Sequence, residues 1–439
     1  MVNVMSELDA LRRRLSAEDP IHVEGRITGL VGLTLRAAAP QIRAGDLVSV
    51  QRSGSEPLLA EVVGFDDRHA VLMPLGDPSG VGLGDAVRPV GGRMTIPCGV
   101  GLLGRVLDGL GQPCDGLGPI TGPVTPWEVE RPAPDPLQRQ RIKRPLALGV
   151  RALDGLLTAG EGQRLGLFAG SGVGKSTLLG QIARQCAADV VVIALVGERG
   201  REVREFLEDN LGEDGRRRSC VVVATSDAPA LVRLRSAFVA TGVAEFFRDQ
   251  GLRVLLMMDS VTRVARAQRE VGLAAGEPPA RRGYPPSVFA LLPRLLERSG
   301  PGEGGTITAV YTVLVEGGDL EEPVADEVRG ILDGHVILER SLGSRGRWPA
   351  VDVLPSLSRV MDQVATREHR AAAQRFRALL AAYESKRDLI TLGAYARGSD
   401  RVTDEAIARI DALEAFLRQS VDEASPFDET VKALQALVA

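Results

Sequence analysis

Four apolar runs, separated by helical patterns, limit what this chain can fold into more than any other feature of its sequence. The runs are LGLFA (165–169), VVVIALV (190–196), CVVVAT (220–225) and VLLMMD (254–259). Strands of a parallel sheet that is covered on both faces read as continuous apolar runs rather than as alternating ones. The sequence therefore predicts a central α/β core with helices on both faces of a largely parallel sheet.

The segments on either side of this core have a different pattern. From residue 20 to about 90, short alternating or apolar runs lie between Gly, Asp and Pro signals, which is typical of a small β-barrel. Beyond about residue 365 the periodicity is helical. We predict a multidomain chain with an amphipathic helix at 1–19, a β-barrel at 20–90, an α/β domain at 91–350 and a helical domain at 351–439.

A glycine-rich stretch, AGSGVGKST (169–177), follows the first apolar run and precedes a helical pattern. Strand, glycine loop and helix in this order are the context of a phosphate-binding P-loop. The glycines let successive backbone N–H groups point at a polyphosphate, and the start of the helix adds its positive dipole. The residues predicted to bind nucleotide here are Gly170, Ser171, Gly172, Val173, Gly174, Lys175, Ser176 and Thr177.

Two side chains of the motif and one aspartate have separate expected tasks. The Lys175 ammonium pairs with the β- and γ-phosphates, and the Ser176 hydroxyl is a ligand for Mg²⁺. Asp259 ends the run VLLMMD, which is the Walker B position, where a carboxylate holds the metal. The predicted ligands are therefore ATP and Mg²⁺. Ala169 stands where the motif often has its first glycine.

Hydrolysis also requires a group that orients and polarises the attacking water. Glu198 follows the run VVVIALV, with Gly197 before it and Arg199 after it. A carboxylate near the γ-phosphate can accept the proton of that water. The charges of GERGRE can equally pair with one another in a solvated turn between strand and helix. The residues alone leave both interpretations open.

Charge and targeting signals narrow the class of protein. The chain has 53 Lys and Arg against 57 Asp and Glu, a balance that argues against bulk electrostatic binding of nucleic acid. The start MVNVMSELDALRRRLS lacks the apolar core of a secretory signal. No stretch approaches the roughly 20 apolar residues of a membrane span. Four scattered cysteines without a CxxC pair indicate a reducing compartment.

Five segments together resemble the type III protein-export ATPases. This family consists of the flagellar export ATPase and its injectisome counterparts, and it is related to the rotary ATP synthase head. The segments are AGSGVGKST, VGERGREVREF, LLMMDSVTRVARAQREVG, GEPPARRGYPPSVFALLPRLLER and VADEVRGILDGHVILER. The resemblance covers the chain from about residue 20 to its end. It implies an N-terminal β-barrel, a central RecA-like P-loop ATPase domain and a C-terminal helical domain. It also implies a homohexamer that hydrolyses ATP between subunits to energise protein export.

The resemblance assigns roles to individual residues. Glu198 matches the catalytic carboxylate, and Arg199 and Arg263 match charged positions that line the site. Arg359, in PAVDVLPSLSRVM, matches the arginine finger that is donated to the γ-phosphate of the neighbouring subunit. Trp348 occupies the position of a tyrosine that stacks on adenine in relatives, with a buried packing tryptophan as the alternative.

Partners and location are implied in the same way. The implied partners are a stator-like regulatory protein at the helix 1–19, a central stalk protein, export chaperones with their cargo, and a membrane export gate. No specific nucleic acid is implied. The loop 278–286 matches one that faces the central channel, although solvated charges explain it equally well. The chain is expected in the cytoplasm, peripherally associated with the inner face of the membrane.

Other interpretations stay open beside this one. RDLITLGAYARGSD favours the flagellar branch, whereas FLRQSVDEASPF also occurs in injectisome ATPases, and a rotary ATP synthase subunit is a further possibility. A non-catalytic nucleotide-binding subunit typically lacks the carboxylate found here at Glu198. An RNA-translocating hexamer needs a base-stacking barrel, but Phe65 is the only Phe, Tyr or Trp between residues 20 and 90.

Overall fold

The computed structural model describes residues 24–66, 69–91 and 93–439. They fall into two compact units, one holding the residues before Thr95 together with Val271–Glu277, the other holding Thr95–Glu270 and Pro278–Ala439. The amphipathic helix predicted at 1–19 lies outside the described residues. Within the described ranges, no helix combines the length and the apolar character that crossing a membrane requires.

A closed barrel forms the first unit. Its strands, in the described part of the chain, are β1 (Gly25–Val31), β2 (Thr34–Ala38), β3 (Leu47–Arg52), β4 (Ser55–Asp66), β5 (His69–Pro74) and β6 (Ala86–Pro89). They pair in the order β1-β2-β5-β4-β3-β6, and β6 closes onto β1. Alternate residues face the interior, such as Leu35 and Ala37 on β2 and Val48 and Val50 on β3, all fully buried. The predicted β-barrel is confirmed.

The second unit is built on a sheet of nine strands in the described residues, ordered β19-β18-β12-β17-β15-β13-β14-β8, with β16 paired to β17. The strands of this unit are β7 (Thr95–Cys98), β8 (Val106–Asp108), β9 (Thr125–Glu128), β10 (Pro145–Leu146), β11 (Ala159–Gly160), β12 (Arg164–Ala169), β13 (Val190–Glu198), β14 (Ser219–Thr225), β15 (Arg253–Asp259), β16 (Gly300–Pro301), β17 (Thr306–Leu314), β18 (Gly334–Leu338) and β19 (Val351–Ser358). The four apolar runs of the sequence are β12 to β15. They pair in parallel with their neighbours, as predicted.

Helices alternate with these strands and then continue alone to the end of the chain. They are α1 (Arg151–Leu156), α2 (Lys175–Gln185), α3 (Gly200–Glu205), α4 (Gly212–Arg217), α5 (Ala230–Asp249), α6 (Val261–Ala274), α7 (Pro286–Leu296), α8 (Pro323–Ile331), α9 (Arg340–Ser344), α10 (Met361–Val364), α11 (Arg367–Thr391), α12 (Arg401–Leu417) and α13 (Phe427–Val438). A π-helical turn, Phe206–Leu211, joins α3 to α4. Single 3₁₀ turns occupy Val100–Leu102, Arg281–Gly283 and Glu316–Gly318.

The last three helices pack onto the α/β core rather than standing apart from it. Thr366 and Asp400 cap α11 and α12 by accepting hydrogen bonds from the backbone N–H groups of His369 and Val402. The rings of Phe376 and Phe416 lie 5.5 Å apart, in one continuous apolar cluster with the buried residues of the sheet. The predicted fold class is confirmed, and the domain boundaries at 20–90, 91–350 and 351–439 stay predictions.

A buried ion pair inside the second unit gives a test of stability. Arg298 donates from Nε and Nη2 to Glu245 at 2.8 and 2.6 Å, and both side chains are 1% exposed. Glu245→Ala leaves the guanidinium buried without its counter-charge, so we expect a loss of about 3–5 kcal/mol in the free energy of unfolding. Urea denaturation followed by circular dichroism measures this loss. The exposed Glu208, paired with Arg204, is the matched control. An equal loss in Glu208→Ala would contradict the prediction.

Candidate active site

The P-loop connects the end of β12 to the start of α2. Gly172 and Gly174 have φ angles of +73° and +78°, in the left-handed region that glycine adopts without steric cost. The helix begins at Lys175, and Ser176 and Thr177 in its first turn are exposed, whereas Val173 is buried. The strand, loop and helix predicted from AGSGVGKST are therefore present, with the start of the helix open to a ligand.

Strand order brings the predicted charged residues to the edge where the parallel strands end. Lys175 Nζ contacts Asp259 Oδ1 and lies 3.7 Å from Glu198 Oε1. Arg263 Nη2 donates to Glu198 Oε2 at 3.2 Å, and Thr312 Oγ1 donates to Asp259 Oδ1 at 2.8 Å. The carboxyl ends of parallel strands are where ligands bind in open α/β sheets. The lysine is thus held by two carboxylates at the mouth of the P-loop.

Glu198 has an unusual environment for a carboxyl group. Burial, the nearby charge of Asp259 and a hydrogen bond with Glu202 raise the pKa of Glu198 to about 7, against the lowering effect of Lys175 and Arg263. Its Oε1 atom is buried and accepts no hydrogen bond from the described residues. The Lys175 ammonium is 3.7 Å from this atom, beyond hydrogen-bond distance, so Oε1 is left able to accept a hydrogen bond from a bound molecule. A water molecule at the γ-phosphate would meet that requirement.

Trp348 lies against the P-loop. A Cβ placed on Gly174 would be 2.8 Å from the indole ring, and one on Gly343 would be 2.7 Å from it. The side chain is nevertheless 44% exposed, unlike a buried packing tryptophan. The ring therefore combines contact with the phosphate-binding loop and a free surface on which a base can stack.

Arg199 follows Glu198 but points elsewhere. Its side chain is 75% exposed, and it pairs with Glu202 at 3.2 Å rather than with Glu198. In this structure Arg199 influences the site through Glu202, whose carboxylate accepts a hydrogen bond from Glu198 when Glu198 is protonated. Local charge pairing, which the sequence left open for GERGRE, thus occurs at Arg199 but not at Glu198.

Arg359 lies at the opposite end of the sheet from the P-loop. β18 runs parallel to β12, with Leu338 beside Ala169, and β19 returns antiparallel, so that Ser358 pairs with Gly334. The backbone N–H of Arg359 donates to Asp333, whose own N–H donates to Arg164 at the start of β12.

The length of β12 therefore separates Arg359 from the P-loop of its own chain. The six residues Arg164–Ala169 span about 16 Å along the strand. The Arg359 side chain is exposed, and its guanidinium has no hydrogen bond or ion pair with the described residues. The structure does not bring Arg359 together with Lys175 and Glu198 within one chain.

Three features of the site were not predicted from the sequence. Thr312 in β17 orients Asp259, and Arg340 donates to the carbonyl oxygen of Ser171 at 2.6 Å. The connection after α12 reaches the site through the Gln419 N–H, which donates to the carbonyl oxygen of Trp348 at 2.9 Å. Of the three, only Thr312 had a signal in the sequence, which is its hydroxyl near the end of the apolar strand TITAVYTVL.

Comparisons with known proteins agree with this architecture. The model of the ATP synthase alpha/beta family, nucleotide-binding domain, matches residues 149–358. The beta-barrel domain of the same family matches residues 27–91, and the T3SS EscN ATPase C-terminal domain matches residues 365–436.

Individual relatives match over nearly the whole chain. The flagellum-specific ATP synthase of Bacillus subtilis is 52% identical over 94% of this chain and 94% of its own. The type 3 secretion system ATPase of Xanthomonas euvesicatoria is 53% identical over 94% of this chain and 93% of its own. A solved structure, the assembled ATPase EscN with its central stalk EscO from enteropathogenic E. coli, has a TM-score of 0.88 at 46% identity, covering 94% of this chain and 100% of EscN.

Proposed function

The chain belongs to the ATP synthase alpha/beta family, in the branch of the type III secretion and flagellum-specific ATPases, and from this premise we propose that it acts as a homohexamer with ATP bound between subunits. It is an ATP-hydrolysing enzyme of type III protein export. The observation that carries the proposal is the position of Arg359, at the end of the sheet opposite the P-loop of the same chain. A neighbouring subunit can supply what the chain's own Arg359 cannot.

The residues at the P-loop fit ATP and Mg²⁺. The backbone N–H groups of 170–177 would hold the phosphates, and Lys175 would exchange its contact with Asp259 for the β- and γ-phosphates. Ser176 and Asp259 would hold Mg²⁺, which when bound supplies charge neutralisation at the phosphate oxygens. Thr312 keeps Asp259 oriented for that task. Trp348 would offer its exposed surface to adenine.

Glu198 would act as the general base. Its Oε1, which accepts no hydrogen bond from the described residues, would accept one, and then a proton, from the attacking water, while Arg263 holds the other oxygen in place. A pKa near 7 lets the carboxylate be both available and basic at neutral pH. Arg199 would contribute by pairing with Glu202. Arg359 of the adjacent subunit would stabilise the charge that develops on the transferred phosphoryl group.

Partners follow from the relatives and from one loop. EscN is assembled and in complex with a central stalk, and we propose a similar stalk protein for this chain, contacted by the loop 278–286. Tyr284 is only 5% exposed, with Arg269 above its ring. Arg281 and Arg282 would therefore carry the contact. The stator-like protein at 1–19, the chaperones with their cargo, the export gate and a cytoplasmic place at the inner face of the membrane stay predictions.

The flagellar and injectisome branches are not separated by sequence identity. The relatives from the two systems are 52% and 53% identical to this chain. The flagellar role favoured by RDLITLGAYARGSD stays a prediction.

The test of the proposed assembly is ATP turnover per subunit as a function of protein concentration. We expect turnover to rise cooperatively with concentration and to reach a plateau where light scattering reports a hexamer. The reason is that each complete site needs residues from two chains. Turnover per subunit that is the same at every concentration, with the chain monomeric throughout, would refute the hexamer while leaving ATP hydrolysis intact.

The raised pKa of Glu198 predicts a pH dependence. Because the base must be deprotonated, we expect kcat/KM for ATP to rise with pH through about 7. In Glu202→Gln the neighbouring negative charge is lost and the amide can donate to Glu198, which lowers the pKa of Glu198 and moves the rise to lower pH. Glu208→Gln, exposed and paired with Arg204, serves as the control. A rise at unchanged or higher pH in Glu202→Gln would contradict this assignment.

A further inference from the structure

Arg340 is a cation near the proposed triphosphate site that binds protein rather than phosphate. It is the first residue of α9, and its Nη2 donates to the Ser171 carbonyl oxygen at 2.6 Å, with Ser171 Oγ at 3.4 Å. Its guanidinium forms no ion pair with a carboxylate in the described part of the chain. An exposed arginine that is committed to one backbone carbonyl of the P-loop fixes the direction of that carbonyl.

The direction of this carbonyl determines the direction of the next N–H group. In a trans peptide the C=O and N–H bonds point to opposite sides. The Ser171 carbonyl that faces Arg340 therefore sends the Gly172 N–H to the other side of the loop. A phosphate cradle requires successive N–H groups to face the ligand.

In the described part of the chain, Arg340 is the only hydrogen-bond donor to the Ser171 carbonyl oxygen. Gly172, the next residue, has a φ of +73° and no Cβ, so no side chain of its own restricts the rotation of this peptide. The hydrogen bond from Arg340 is therefore the contact that fixes the orientation of the peptide.

Trp348 contacts the same loop from the same stretch of chain. Its ring lies against Gly174, two residues beyond Gly172, and against Gly343 in α9. The segment 340–348 therefore touches the P-loop at two points. Arg340 donates to the peptide between Ser171 and Gly172, and the Trp348 ring packs on Gly174.

We propose that Arg340 is a positioning residue for ATP binding and hydrolysis, which holds the peptide between Ser171 and Gly172 with its N–H toward the phosphates. The inference rests on the proposed ATP site at the P-loop. Arg340 acts through the backbone and does not touch the nucleotide. Arg340 therefore contributes to the binding of the phosphates, whereas Trp348 contributes to the binding of the base.

Two ligands separate these contributions: ATP, and inorganic tripolyphosphate, which has no base. Binding of each to the full-length protein is measured by titration calorimetry. Arg340→Met removes the donors but keeps the length of the side chain, and we expect it to weaken both ligands by the same factor, about tenfold. Arg340→Lys restores one donor and recovers part of the loss. Trp348→Ala is expected to weaken ATP by a larger factor than tripolyphosphate, because only ATP loses the stacking of its base.

Arg345→Met is the matched control. Arg345 is an exposed arginine just after α9, and its replacement removes the same charge without touching the P-loop. We expect this variant to bind both ligands as the wild type does. If Arg345→Met and Arg340→Met weaken ligand binding equally, the effect is the loss of a positive charge in general, and the proposal is overturned. Unchanged tripolyphosphate binding in Arg340→Met would overturn it as well. Wild-type protein that binds neither ligand would instead refute the proposed ATP site.

Discussion

Arg359→Ala is expected to reduce ATP turnover by about 10³- to 10⁵-fold, the range over which an arginine finger acts, while ATP binding and assembly are retained. The guanidinium is exposed and is separated from its own P-loop by the length of β12. Its loss therefore removes transition-state stabilisation from the neighbouring site without disturbing its own. Turnover above the assembly concentration, with calorimetric ATP affinity, measures both expectations. The exposed Arg367 at the start of α11 is the control, and Arg367→Ala is expected to retain wild-type turnover.

Mixing two inactive variants shows which subunit supplies the finger. Lys175→Ala subunits have a defective P-loop and an intact Arg359, and Arg359→Ala subunits have the reverse. In rings mixed at equal proportions, about a quarter of the interfaces join an intact P-loop to an intact finger, as in any head-to-tail ring. We expect turnover to return to about that fraction of the wild-type value. Mixed rings as inactive as the separate variants would show that Arg359 does not act across the interface.

Glu198→Gln is expected to reduce kcat by about 10²- to 10⁴-fold, the usual contribution of a general base. Glutamine has the same shape, and it can still accept a hydrogen bond from Arg263, but it cannot take a proton from water. ATP binding is expected to persist, because the substitution removes a negative charge 3.7 Å from Lys175 and so does not repel the phosphates. Rapid-quench turnover and calorimetry measure the two quantities.

Glu202→Gln is the matched control for Glu198→Gln. Glu202 accepts a hydrogen bond from protonated Glu198, but it lies on α3 and pairs with Arg199. At pH 8, where Glu198 is deprotonated in both proteins, we expect Glu202→Gln to turn over ATP within a few-fold of the wild type. A Glu198→Gln enzyme that keeps more than about one tenth of wild-type kcat would remove Glu198 from the role of base.

The sequence was most informative where a short pattern determines local structure. The four apolar runs are strands of the sheet, and AGSGVGKST has the strand, loop and helix of a P-loop, because both signals are contained within a few residues. Glu198 and Asp259 are the last residues of two buried strands, so their meeting at one edge follows from parallel pairing. Their common contact with Lys175 depends on strand order, which no single segment encodes.

Contacts between distant segments could not be predicted from the sequence for the same reason. Arg340 meets Ser171 across 169 positions of sequence, and nothing in RSLGS indicates a backbone carbonyl as its partner. The place of Arg359 at the far end of the sheet depends on β19 being antiparallel to β18, a reversal that the run VDVLPSLS does not reveal. The function expected of Arg359 came from the family resemblance alone.

The separation of Arg359 from its own P-loop has a consequence for newly made protein. On the proposed arrangement, a free subunit carries the P-loop of one catalytic site and the arginine finger of another. Bound ATP and an arginine finger meet only after head-to-tail contact between two subunits. Subunits can then be synthesised, stored and delivered ahead of need without draining the ATP supply. ATP hydrolysis begins when subunits meet in the ring, so the start of energy use is set by assembly and not by synthesis of the individual subunit.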